Sequence, residues 1–92
     1  MKVTMEYFGQ IRQAAGAESE AADLAAGATM LDAVKAAAAR HGDALRQIVL
    51  DDAGALRPSV MVLVNDTPVS KSSPPALKDG DRVKLLAAIA GG

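Results

Sequence analysis

The sequence predicts an α+β domain: a mixed sheet of four to five strands with one main helix packed on one face. Three observations predict it. Residues 2–7 alternate polar and apolar with period two, and Val60–Val64 is an unbroken apolar run of strand length. One amphipathic stretch, Thr29 to His41, begins at a capping residue and ends at Gly42. The order is strand, strand, helix, strand, strand, without the regular strand–helix alternation of parallel α/β folds.

Each element has its own local reason. In the first strand Val3, Met5 and Tyr7 lie on one side and Lys2, Thr4 and Glu6 on the other. Gly9 to Gly16 is expected to be a loop or short turn anchored by Ile11, and Glu18 to Leu24 a second strand pairing back on the first. Thr29 can cap the helix, with Asp32 adding negative charge to its first turn. Leu31, Val34, Ala38 and His41 fall on one face, with Ala37 beside them, and alanine there lets the helix sit close to a sheet. Asp43 is expected to cap a second short helix holding Leu45, Ile48 and Val49, followed by a loop at Asp51–Gly54. The run at Val60–Val64 predicts a strand covered on both faces for part of its length. Asn65-Asp66 and Asp79-Gly80 are turn dipeptides, Val69 resumes a short strand, and Arg82 to Ile89 is the last strand.

Composition narrows the functions open to the chain. Its 92 residues make a single domain, and 20 of them are alanine. Val, Ile, Leu and Phe number 21, just above the roughly 20% level below which chains tend to disorder, so the core is thin. A domain of this size leaves little room for a deep catalytic cleft. There is no cysteine, hence no disulfide, thiolate nucleophile or cysteine zinc site, and the lone His41 cannot build a histidine metal site. Net charge is −1, from 10 basic and 11 acidic residues spread along the chain. That pattern offers no basic face for nucleic acid. No apolar run approaches the ~18 residues of a membrane span, so a soluble cytoplasmic protein with no membrane partner is expected. Asp51, Asp52, Asp79 and Asp81 are read as loop and turn residues rather than acid–base pairs.

The end of the chain is the most informative segment. Residues 87–92 read Ala-Ala-Ile-Ala-Gly-Gly and are expected to form a slim protruding tail. Glycines pass a narrow channel that larger side chains would block, and Ala87, Ala88 and Ala90 keep the approach thin around Ile89 and Gly91. A tail of this kind suits delivery of a terminal carboxylate, here that of Gly92, into another protein's active site. The carboxylate is a poor electrophile until activated, for instance as an acyl-adenylate, and without cysteine any transferable sulfur would sit on that terminus.

Several ordered motifs carry a resemblance: Phe8-Gly9-Gln10-Ile11-Arg12 with Gly16 after the first strand, Gly27-Ala28-Thr29 at the helix start, Val64-Asn65 at the hairpin, Leu77-Lys78-Asp79-Gly80-Asp81-Arg82-Val83, and terminal Gly91-Gly92. The sequence resembles the ubiquitin-like, β-grasp sulfur-carrier family of MoaD/ThiS type. Within it, the small-subunit branch of molybdopterin synthase is most similar. It departs from that branch where an aromatic pair and Pro-Pro often precede the tail, since Leu85-Leu86 and Ala87-Ala88 stand there. The segment from Leu50 to Arg57 is also longer than in compact members.

The resemblance implies a β-grasp domain that binds no cofactor and catalyses nothing itself. An ATP-dependent adenylating enzyme would activate Gly92, and a sulfurtransferase or cysteine desulfurase relay would convert it to a thiocarboxylate. The sulfur would then pass to the large synthase subunit or another acceptor. Phe8, Arg12 and Leu86 are the expected partner-binding residues: Phe8 and Leu86 oppose the inward parity of their strands and can form an outward apolar patch. Carriage for cysteine, thiamine or tRNA thiolation remains open, as does a ubiquitin-like modifier joined to target lysines through Gly92.

Overall fold

In the computed structural model, which describes residues 1–87, the elements are β1 (Lys2–Tyr7), α1 (Gly9–Ala15), β2 (Ser19–Asp23), α2 (Met30–His41), α3 (Asp43–Val49), β3 (Val60–Val64), β4 (Thr67–Pro68) and β5 (Arg82–Ala87). The expectations for Ala88, Ile89, Ala90, Gly91 and Gly92 lie outside the described residues. The five strands make one sheet in the order β2-β1-β5-β3-β4. It is mixed, as the sequence predicts: β1 and β5 run parallel, and the other pairs are antiparallel.

Strand parity decides the core. Val3, Met5 and Tyr7 of β1, Val60 and Val62 of β3, and Val83 and Leu85 of β5 are buried in one cluster with Met30, Ala33, Val34, Ala37 and Ala38 of α2. The buried stripe of α2 is rotated from the expected one. Met30 and Ala33 are inside, whereas Leu31 and His41 are half-buried. The start of α2 is as expected and tighter: the Asp32 amide donates to Thr29 Oγ1 at 3.3 Å, and the Thr29 amide donates to Asp32 Oδ2 at 2.9 Å. This reciprocal box satisfies two donors that a helix start otherwise leaves orphaned.

Four local expectations are corrected. The Gly9–Gly16 segment is mostly helix: α1 starts after extended Phe8 and stops at Gly16, whose φ of 73° permits the left-handed cap and whose amide donates to Arg12 O. Its one buried residue, Ile11, is the expected anchor. Gly42, not Asp43, is the N-cap of α3, and Asp43 pairs instead with Arg46 one turn on. β3 is covered on one face only, since Met61 is 54% exposed between buried Val60 and Val62. The strand after the turn is Thr67–Pro68; Val69 follows it and donates its amide to Val62 O. The Asn65-Asp66 turn is as expected, with φ of 51° and 69°. Two consecutive positive φ values suit a tight hairpin.

Composition did not disclose a polar cluster that ties β1, β2 and α2 together. Glu20 of β2 faces inward, where its Oε1 accepts from the Tyr7 hydroxyl at 2.5 Å and contacts His41 Nε2 at 2.5 Å. Arg40 approaches Oε2 at 3.5 Å, and the Tyr7 and His41 rings meet edge to face. Burial pushes the Tyr7 phenol far above its ordinary value, and the Glu20 carboxylate reinforces the shift. For Glu20, burial favours the neutral acid, but the hydrogen bonds from Tyr7 and His41 and the nearby Arg40 charge together hold the carboxyl below its ordinary value. His41 therefore closes a side-chain network as well as ending the helix.

Glu20→Ala should cost about 1–3 kcal/mol at neutral pH, because the buried Tyr7 hydroxyl loses its acceptor. The folded carboxyl titrates below the unfolded value of ~4.3, so this stabilisation is fully present above that value. It fades as pH falls through the lower folded value. Denaturant unfolding of both chains should show a gap at pH 7 that narrows below about pH 4; a gap independent of pH would rule out the ionised carboxylate as its source.

Candidate functional site

The candidate site lies on the face of the sheet opposite the core, which no helix covers among the described residues. Leu86 of β5 is paired with Met61 of β3. Tyr7 of β1 is paired with Leu85, so Phe8, still extended at φ −131° and ψ 151°, follows in register beside Leu86. Phe8, Leu86 and Met61 thus form an apolar row across three strands. They sit one residue from Ala87, where β5 ends. Phe8 and Leu86 are half-buried and lie outside the core cluster. Leu63 and Pro68, paired in the next outward position, extend the apolar surface toward β4. Met61 is the exposed member of this row, and exposed apolar patches mark partner contacts.

Charges border this row in matched pairs. Lys84 and Arg82, outward on β5, both reach Asp66 in the β3–β4 turn, Arg82 at 3.6 Å, and Arg82 also meets Glu6 at 3.2 Å. The Lys84 ammonium, with Arg82 beyond it, holds the Asp66 carboxyl below its ordinary value. Arg12 of α1 donates from Nε to Tyr7 O at 3.4 Å and pairs with Glu18 at 3.4 Å. It therefore ties α1 to the end of β1 while its side chain stays 45% exposed.

Phe8 and Leu86 are adjacent, as expected, and Arg12 lies on the helix that starts after Phe8. The sequence places Ala87 in the tail, but the structure puts it in the sheet, paired with Val60 and packed on the core. Met61 was missed. Its signal was present in the parity of the apolar run, but only the β3–β5 register, which a sequence does not state, sets it beside Leu86. Among the described residues no group of three His, Asp or Glu side chains could hold a metal ion, and no helix is long and apolar enough to cross a membrane.

Known proteins share this fold. The ThiS family model matches residues 5–92. The chain belongs to the ThiS family. Its fold is the ubiquitin-like β-grasp, and the family is one of small sulfur carriers of ThiS/MoaD type that are generally non-catalytic. SAMP1 from Haloferax volcanii is 27% identical with a TM-score of 0.88, both chains being covered over 100% of their length. A putative molybdopterin converting factor subunit 1 from Pyrococcus furiosus is 32% identical with a TM-score of 0.75, covering 97% of this chain and 99% of that one. The Amycolatopsis orientalis BexX/CysO complex contains a chain 32% identical with a TM-score of 0.67, covering 98% of this chain and 99% of that one. No curated protein matches the chain.

Met61 is an outward residue, so Met61→Asp should change the unfolding free energy by no more than about 0.5 kcal/mol. Val62→Asp, one residue along and facing the core, should prevent folding by burying an unpaired charge. Far-ultraviolet circular dichroism with thermal melting separates the two; equal loss of structure would contradict the assigned face.

Proposed function

We propose that this protein carries sulfur on the carboxyl group of Gly92 and presents it to partner enzymes from the Phe8–Leu86–Met61 row. The observation that carries the proposal is that row's position at the end of β5, with Leu86 five residues before Gly91 of the Gly-Gly pair, in a ThiS-family chain. The carboxylate attacks the α-phosphorus of ATP on an adenylating enzyme, and pyrophosphate leaves. The terminal sulfur of a persulfide on a sulfurtransferase or cysteine desulfurase relay then attacks the acyl carbon and AMP leaves; a thiol attacks the relay's sulfur of the resulting acyl disulfide, which breaks the S–S bond, releases the thiocarboxylate and leaves a disulfide. The chain supplies a docking face and a slim substrate terminus, and each partner supplies the catalytic groups. The chain itself needs no bound cofactor; ATP is consumed on the activating enzyme.

For the acceptor we propose the large subunit of molybdopterin synthase, supported by likeness to the Pyrococcus furiosus protein described as a putative molybdopterin converting factor subunit 1. A second reading is conjugation through Gly92 to target lysines, favoured by likeness to a protein described as a small archaeal modifier. Carriage for cysteine synthesis has the likeness to CysO behind it. In each case the same face and terminus are used; in sulfur donation the thiocarboxylate sulfur attacks the acceptor, and in conjugation a lysine amine attacks the activated acyl carbon.

Incubation with the adenylating enzyme, ATP and a sulfur donor should raise the intact mass by the difference between sulfur and oxygen. A conjugating role should instead leave a Gly92 isopeptide on lysine. An unchanged mass with an enzyme that loads a related carrier would overturn the proposal. One alanine added after Gly92 should abolish loading, since the added residue displaces the reacting carboxylate. Met61→Asp should raise the KM for the adenylating enzyme at least tenfold, consistent with loss of about 1.4 kcal/mol of apolar contact. An unchanged KM would remove Met61 from the docking face.

A further inference from the structure

The two edges of the sheet are built differently. β4, at one edge, is two residues long and contains Pro68, which has no N–H to offer a further strand. β2, at the other edge, runs for five residues without a proline, a lysine or a bulge. Its free side follows from the ladder with β1. The Tyr7 amide donates to Glu18 O and the Leu24 amide to Met1 O, both at 2.8 Å. Antiparallel ladders alternate, so Glu18, Glu20, Ala22 and Leu24 bond to β1. Ser19, Ala21 and Asp23 turn their N–H and C=O groups away from it. All three residues are exposed, and among the described residues these backbone groups have no hydrogen-bond partner.

We infer that this edge pairs with the same edge of a second copy of the chain, antiparallel about a two-fold axis through Ala21. The register is fixed by the outward residues. It sets Ala21 opposite Ala21 of the second copy, and Ser19 opposite its Asp23. Every outward N–H and C=O of β2 then finds a partner, and the Ser19 hydroxyl donates to the Asp23 carboxylate. Any other register leaves outward groups unpaired, and the one centred on Asp23 also sets two carboxylates face to face. On the helix side Glu20 meets Ala22, whose methyl group leaves it room. The Glu20 carboxylate is already held by Tyr7, His41 and Arg40 of its own copy. A net charge of −1 adds little repulsion between copies. The contact lies on the far side of β1 from β5 and β3. Directly opposed residues point to the same side, so both Phe8–Leu86–Met61 rows open on one face of the joined sheet. A single strand pair buries less than a permanent interface does, so the dimer is weak and forms with concentration. It holds whether or not the chain carries sulfur.

Analytical ultracentrifugation and amide hydrogen exchange of the full chain, without any activating enzyme, test it. Between ~10 μM and ~1 mM the average mass should climb from monomer toward dimer, and protection should grow at Ser19, Ala21 and Asp23. Ala21→Pro removes an outward N–H and leaves the β1 ladder whole, so it should weaken association about tenfold or more. Ala21→Lys sets two ammonium groups face to face and should weaken it roughly threefold or more. Ser19→Lys sets an ammonium group against Asp23 on both sides of the axis and should tighten it by a similar factor. The two lysine variants decide the matter if Ala21→Pro fails to fold. A chain still monomeric at ~1 mM would overturn the inference. So would a dimer that Ala21→Lys leaves intact, or one whose protection appears at Met61 and Leu86 instead. Loading with sulfur is a separate measurement, so failure here leaves the carrier reading standing.

Discussion

β5 lies between β1 and β3, and the rest of the structure depends on that pairing. Its parallel contact with β1 sets Phe8 and the start of α1 beside the C-terminal end of the sheet. Its antiparallel contact with β3 brings Met61 to Leu86 and Val60 to Ala87. Because successive strand residues face opposite ways, Val83 and Leu85 complete the core beneath α2 while Leu86 emerges on the bare side. One strand thus closes the hydrophobic interior and builds the apolar row. A shift of one residue in its register would send Leu85 outward and Leu86 into the core.

The division of labour follows from the small size. Among the described residues seventeen are buried, all apolar by class; they fill the space between the sheet and the helices, and six of them are Val. Little interior is left for catalytic groups, and the inward polar group with the most contacts, Glu20, is committed to Tyr7, His41 and Arg40. That cluster fastens the edge strand β2 to the end of α2, where alanines contribute little side-chain contact. In the proposed function, chemistry placed on the terminus would avoid this limit, because the reacting carboxyl would be offered to the active site of a larger protein.

Much of the layout was legible in the sequence. Alternation in residues 2–7 gave the inward side of β1, Thr29 and Asp32 marked the start of α2, and Asn65-Asp66 marked the hairpin. The hidden parts share a physical cause. α1 has a single buried side chain, so a 3.6-residue period has nothing to repeat, although Gly16 as a left-handed cap after Ala14-Ala15 was an available sign. Met61 sits in an apolar run that suits a strand buried on both faces, and it is exposed because no second layer covers it among the described residues. Glu20 resembles any strand glutamate until the fold sets Tyr7 and His41 against it. Pairings between distant segments, rather than local propensity, separate what was read from what was not.

The central claim is that the row at the end of β5 presents the terminus to a partner. Hydrogen–deuterium exchange of the chain alone and with its adenylating enzyme tests this most directly. Protection should appear on complex formation at Phe8 and the start of α1, at Met61 in β3 and at Leu86 in β5, with little change along α2. Protection confined to α2 and β2, with that row exchanging as in the free chain, would contradict the account.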